Sequence, residues 1–155
     1  MDLDTGFRRS TKLVLEQVIR DGLVQSCGYK TREILLFGFG QGGMVALNMA
    51  AELGSEELGG VISIGGVIPE KAPLPEDGKK SRTPVLVCKG NRSSAVKESN
   101  ARRLKDTFDF VELKEWKKVG DGMPNSRDEM MPIMQFFARR LRSMKGVPKG
   151  SVEIG

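Results

Sequence analysis

Four glycines crowd one turn of this sequence. In "EILLFGFGQGGMVALNMAAE", Glu33 to Glu52, an apolar run from Ile34 to Phe37 meets Gly38, Gly40, Gly42 and Gly43, and a run of helix formers follows. A strand, a tight turn and a helix N-terminus in that order can serve two chemistries. The backbone amides and helix dipole can hold a phosphate, or a strained turn can present a nucleophile. For the first, Gly38, Gly40 and Gly43 fit G-x-G-x-x-G, which would make the chain a dinucleotide-binding oxidoreductase. That fingerprint wants an acidic residue at the end of the next strand, which here ends "SIGGVIP", and it wants its strand to open the fold, whereas a helix comes first. For the second, G-F-G-Q-G-G reads as G-x-S-x-G with glycine at the nucleophile's place. The chain contains no histidine. The usual general base and the commonest metal ligand are therefore both missing, and neither a Ser-His nor a Cys-His nucleophile can be assembled from this chain alone.

The elements that must position this turn alternate between helix and strand. Thr11 or Ser10 is expected to cap a first helix whose Leu15, Val18 and Ile19 share a face, with Gly22 near its end. The strand over Ile34 to Phe37 leads into a helix from about Gln41 to Leu53, stopped by Gly54, and "GGVISIGG" is a buried strand. "VIPEKAPLPEDGKKSRTP" reads as an exposed loop. After it come the strand "VLVCKG", a helix capped by Ser93 or Ser94 and carrying Ala101, Leu104 and Phe108 on one side, and the strand "FVELKEW". Ser126 and Glu129 form a capping box for a last helix striped by Met130, Ile133, Phe137, Leu141 and Met144. Strands separated by helices predict an α/β fold: a mostly parallel sheet of about four strands with helices on both faces, one domain over residues 1–145, and an irregular tail over 146–155.

Composition excludes several function classes. A chain of 155 residues can bury an ordinary core without metals or disulfides. Cys27 and Cys88 lack metal-ligand spacing and read as buried cytosolic thiols. The formal charge of +5 is scattered, and its densest group, Arg139, Arg140, Arg142 and Lys145, lies where cations complement a helix dipole. With one Trp and one Tyr for stacking, no nucleic-acid site is expected. No run spans a membrane, and "MDLDTGFRRSTK" is too polar for a secretory signal, so a cytoplasmic protein is expected.

On the elbow, on "GGVISIGGVIPEKAPLP" and on "TPVL", the chain resembles the phospholipase/carboxylesterase family of α/β-hydrolases, which includes the acyl-protein thioesterases. "GDGMPNSRDEMMPIMQFFARRL" is similar to fungal hydrolase-like relatives. The resemblance runs from the first helix to Leu141 and implies a three-layer α/β-hydrolase sandwich. It puts the nucleophile's place at Gly40, the acid's at about Ser93 and the histidine's at about Asp121, with Lys89-Gly90 where the family writes an H-G turn. All three triad positions depart from the pattern, and losing every member removes the mechanism itself. From the residues alone, Gly40 relieves a strained turn, Ser93 is a cap or turn residue, and Asp121 is a turn former. The backbone amide of Gln41, next after the elbow and opening a helix, remains an oxyanion-type donor for a carbonyl or anion.

The family also has strands and an oxyanion loop before its elbow, which this sequence does not offer. The edge of Ile34–Phe37 is therefore expected to be covered by a protein partner or by self-association. These expectations describe a non-catalytic hydrolase-fold protein that acts by assembly or by binding a small acyl or anionic ligand, with no cofactor and no metal. The alternatives are a carboxylesterase or acyl-thioesterase whose chemistry a partner chain completes, and the dinucleotide-binding oxidoreductase.

Overall fold

The computed structural model describes residues 3–69, 72, 74–75 and 79–142. Helix and strand alternate along it: α1 (Leu3–Leu13), β1 (Leu35–Phe39), α2 (Gln41–Leu53), β2 (Gly60–Ile64), β3 (Val85–Arg92), α3 (Glu98–Thr107), β4 (Val111–Val119) and α4 (Arg127–Arg142). The strands form one sheet in the order β1-β2-β3-β4, with every neighbour parallel. Parallel strands need both faces covered, and the apolar run of β2 is buried at every position.

Successive side chains of a strand point to opposite faces, and the core divides accordingly. On one face Leu36, Val61, Val85 and Val87 pack with Leu15, Ile19, Leu47 and Leu104 from the helices before and after β1 and from α3. On the other, Leu35, Ile62, Ile64, Leu86, Cys88 and Trp116 pack with Ile133 and Phe136 of α4. Each fully buried aliphatic side chain contributes about 1.5–3 kcal/mol. The expected three-layer arrangement thus has most of its helices on one face and α4 on the other.

Several local expectations are corrected. The first helix starts at Leu3, so Thr11 lies inside it rather than at its cap, where its buried hydroxyl accepts a hydrogen bond from Asn48 Nδ2 at 3.4 Å. The helix continues past Gly22 as a wider π-wound segment, Val14–Ser26, whose end shows the five-residue step from the Cys27 amide to the Gly22 carbonyl. Leu15 and Ile19 are buried there, but Val18 is exposed, because the wider winding changes which residues share a face. The elbow strand is Leu35–Phe39 rather than Ile34–Phe37, and Ile34 ends the preceding short 3₁₀ turn.

Helix α3 begins at Glu98 after Lys97, whose backbone N–H is bonded by the Asn100 side chain at 2.8 Å, so neither Ser93 nor Ser94 caps it. At α4, Ser126 caps the Glu129 amide at 3.2 Å as expected, but the Glu129 carboxylate turns to Lys118, at 2.8 Å, instead of closing the box. Ile133 is buried as expected and Met130 and Phe137 pack against the same cluster, but Phe136 joins them and Leu141 is exposed; Met144 and the tail 146–155 lie outside the described residues. The proline-rich segment is not simply an exposed loop either. The Ser81 hydroxyl donates to the Ala50 carbonyl, and Thr83 Oγ1 accepts from the Leu58 amide, so its hydroxyls satisfy buried backbone groups of the elements around it. No helix among the described residues is long and apolar enough to cross a membrane.

Candidate functional site

The turn between β1 and α2 is built by close approach. A Cβ on Gly38 would lie 2.5 Å from the Gly43 nitrogen, and one on Gly43 would lie 2.3 Å from Ser63 Oγ. Strand and helix can meet this closely only because both positions lack side chains. This packing accounts for the spacing of Gly38 and Gly43 without a dinucleotide, and β2 ends at Ile64, followed by Gly65 and Gly66, with no acid there to hold a ribose.

Gly40 sits between them with φ 56° and ψ −120°, a backbone conformation that side-chain-bearing residues adopt only under strain. Its amide donates to the Ile64 carbonyl at 2.8 Å and its carbonyl accepts from the Met44 amide at 3.1 Å, so the strained turn is pinned from β2 and from α2. Nothing lies within 4 Å of where a Cβ would stand. The turn therefore keeps the form that presents a side chain to open space, and glycine presents none. Gln41 follows as the first residue of α2 and is exposed, and its amide is among those that a helix N-terminus leaves without an internal acceptor.

The other ends of the strands gather at the same, C-terminal edge of the sheet, where parallel α/β sheets place their sites. The Gly65 amide donates to the Cys88 carbonyl, and the Gly120 amide to the Arg92 carbonyl. Asp121 then reaches from the end of β4 into the loop after β3. Its Oδ1 accepts from the Gly90 amide at 3.0 Å and from the Ser94 hydroxyl at 2.6 Å, while its Oδ2 accepts from the Ala95 amide at 2.8 Å. Burial pushes its pKa up, but the Ser94 hydroxyl, the two amides and the charge of Lys89 outweigh this and hold the carboxyl below the ordinary aspartate value. Room for it is made by Gly65, at φ 72°, where a Cβ would lie 2.6 Å from the Asp121 Cβ.

Of the residues singled out in the sequence, Asp121 and the loop holding Ser93 are brought together, but through the neighbouring Ser94. Ser93 itself adopts φ 54° and is exposed, the one non-glycine residue in a left-handed conformation among those described. The sequence placed Ser94 as a helix cap and Gly90 in a turn and did not mark Gly65; the Asp-Gly pair at 121–122 suggested a turn, and nothing in it suggested a three-bond clasp. Of the two cysteines expected to be buried, Cys27 is exposed beyond the last turn of its helix, whereas Cys88 lies under this edge, fully buried, its thiol pushed up to about 12 mainly by burial, which makes it unreactive.

The chain has relatives in sequence and in fold among known proteins. The chain is 32% identical over 122 residues to an uncharacterized hydrolase of Schizosaccharomyces pombe, an alignment that covers 77% of this chain and 50% of that protein. Among solved structures it resembles SOBER1 of Arabidopsis thaliana, with a TM-score of 0.69 and 23% identity over 88% of this chain and 65% of that one. It also resembles the carboxylesterase of Bacillus cereus, with a TM-score of 0.70 and 12% identity over 90% and 64%. The chain thus spans half the length of the curated relative and just under two thirds of these solved structures. Residues 4–141 match the family model described as phospholipase/carboxylesterase, and with the α/β-hydrolase fold of its neighbours this establishes that the chain belongs to the phospholipase/carboxylesterase family.

Proposed function

We propose that the chain is a non-catalytic member of its family that acts through binding or assembly. The observation that carries this is Gly40: the turn keeps a strained backbone and open space above it, yet supplies no nucleophile. Two further features support it. The chain has no histidine to activate a serine or a water. At the place where the family resemblance puts that histidine, the Asp121 carboxylate is committed to three hydrogen bonds within the fold. A carboxylate held below its ordinary pKa and so engaged is a poor proton acceptor at neutral pH. Two features suit that role: the amide of Gln41 at the start of α2, which can meet a carbonyl or small anion, and β1, which among the described residues pairs with a strand on its β2 side alone.

The test is hydrolysis of p-nitrophenyl esters and acyl thioesters by purified protein. The expected rate equals that of buffer. Turnover that saturates with substrate and scales with protein concentration would show instead that this chain carries chemistry, and turnover only on adding a second polypeptide would favour an esterase or thioesterase completed by a partner chain.

A further inference from the structure

The second half of α2 carries a polar residue where its packing asks for none. Around Leu47, Met49 and Ala50, which the helix buries, Asn48 is only 8% exposed. Its Nδ2 donates to Thr11 Oγ1 of α1 at 3.4 Å, and Thr11 is wholly buried. Apolar side chains at these two positions would fill the same space with no polar group to desolvate. The same Nδ2 also donates to Glu52 Oε1 at 3.2 Å, four residues on and on the same face of the helix. A chain of polar groups thus leads from the buried Thr11 hydroxyl through Asn48 to the Glu52 carboxylate at the surface, and it fixes where that carboxylate stands. Glu56 pairs with Arg20, and Glu57 with Arg32 and Arg82. Glu52 is in no ion pair among the described residues, although the chain's formal charge is +5.

The carboxylate stands at the rim of a cavity of about 240 Å³ between α2, the last residue of α3 and the proline-rich segment. The inner wall is Asn48, Ile68 and Thr107, all buried. The Thr107 hydroxyl is spent on its own helix, donating to the Arg103 carbonyl at 2.8 Å. Ala51, Ala72 and Pro75 flank the space half-buried, and Leu74 is exposed at its rim beside Glu52. The lining is therefore mostly apolar, with one charged group at the mouth.

We propose that this cavity binds a small organic ammonium compound, its aliphatic body against Ala51, Ile68, Ala72 and Leu74 and its charged end on Glu52. Charge and size select that class. An unpaired carboxylate calls for a cation, and one already oriented by an amide loses less freedom on pairing. The cation is not a bare metal ion, because the walls are apolar and no group of three acids, cysteines or histidines that could hold one occurs among the described residues. The volume is below the roughly 300 Å³ at which pockets for drug-sized ligands begin, so the body is a short chain or a single ring. The site is separate from the elbow, which precedes the first residue of α2, and it stands whether or not the chain is catalytic.

Titration of the full chain with cyclohexylammonium, followed in methyl carbon–proton spectra, tests this. Saturable shifts are expected at the methyls of Ala51, Ile68 and Leu74, with a dissociation constant of roughly 1 mM. Methylammonium keeps the charge and lacks the body, and cyclohexanol keeps the body and lacks the charge; each should bind about tenfold more weakly or worse. Glu52→Gln retains an acceptor for Asn48 but no charge, and should raise the dissociation constant about tenfold or more. Ala51→Leu, which fills the cavity, should abolish the shifts, and Ala72→Leu takes its place if Ala51→Leu loses its folded circular-dichroism spectrum. Cyclohexanol binding as tightly as cyclohexylammonium, or Glu52→Gln binding as tightly as wild type, overturns the ammonium. No saturable shift at these methyls up to about 20 mM overturns the site, as does saturation seen at the elbow instead.

Discussion

Asp121 ties the end of β4 to the loop after β3, and Asp121→Ala should reveal how much that tie is worth. Three donors lose their acceptor: the Gly90 amide at 3.0 Å, the Ser94 hydroxyl at 2.6 Å and the Ala95 amide at 2.8 Å. They are not equal. Gly90 is buried, so its amide is left unsatisfied, whereas Ala95 is exposed to water and the Ser94 hydroxyl can rotate toward it. A buried donor left unpaired costs about 1–3 kcal/mol, and the loss of charge-assisted bonds that water partly replaces adds about 1 kcal/mol more. We expect Asp121→Ala to destabilise the fold by roughly 2–3 kcal/mol in urea unfolding, with the melting temperature falling about 2–4 °C per kcal/mol. Asp121→Asn should recover part of this, since its one carbonyl oxygen serves some donors while its amide nitrogen must face another. The pH dependence has a fixed sign. The native carboxyl is held below the ordinary value of 3.8, so its contribution is present in full above that value and is lost as pH falls through the native pKa. The gap between wild type and Asp121→Ala should be flat from about pH 5 to 8 and should narrow at more acid pH. A variant within about 0.5 kcal/mol of wild type at pH 7 would refute the clasp as a determinant of the fold.

Gly40→Ser meets no steric obstacle but inherits the strained φ of 56°, so it should lower stability by about 1–3 kcal/mol in urea unfolding and leave ester hydrolysis at the buffer rate. Gly65→Ala and Gly54→Ala both force alanine to a positive φ, but only at Gly65 would the new Cβ press on Asp121; thermal melts should show Gly65→Ala as the more damaging by at least about 1 kcal/mol. A maleimide should label the native protein at exposed Cys27 and spare buried Cys88, and intact mass should show the second label only after unfolding.

Much of this fold is written in local signals. The limits of α2 follow from the turn glycines before it and Gly54 after it, and the buried runs at 60–64 and 85–88 gave central strands because an apolar run without alternation fits a sheet covered on both faces. The elbow was legible because backbone strain and close packing leave glycine little competition. What escaped notice depends on contacts distant in sequence. The segment Leu3–Leu13 is polar, and its buried Thr11 is matched by Asn48 of α2, which no local rule connects to it. Ser94 looked like a helix cap because cap and clasp use the same hydroxyl; its choice was decided by Asp121, across the gap to β4. The hydroxyls of Ser81 and Thr83 in a charged, proline-rich stretch gave no sign that they would bond the backbone of Ala50 and Leu58.

The measurement that bears most directly on the absence of a nucleophile is the intact mass of the folded protein after incubation with an excess of a fluorophosphonate, which traps activated serines. With Gly40 at the elbow and no histidine in the chain, the mass is expected to be unchanged. A stoichiometric adduct, formed in native protein and abolished by unfolding before treatment, would place an activated nucleophile in this fold and contradict the non-catalytic account.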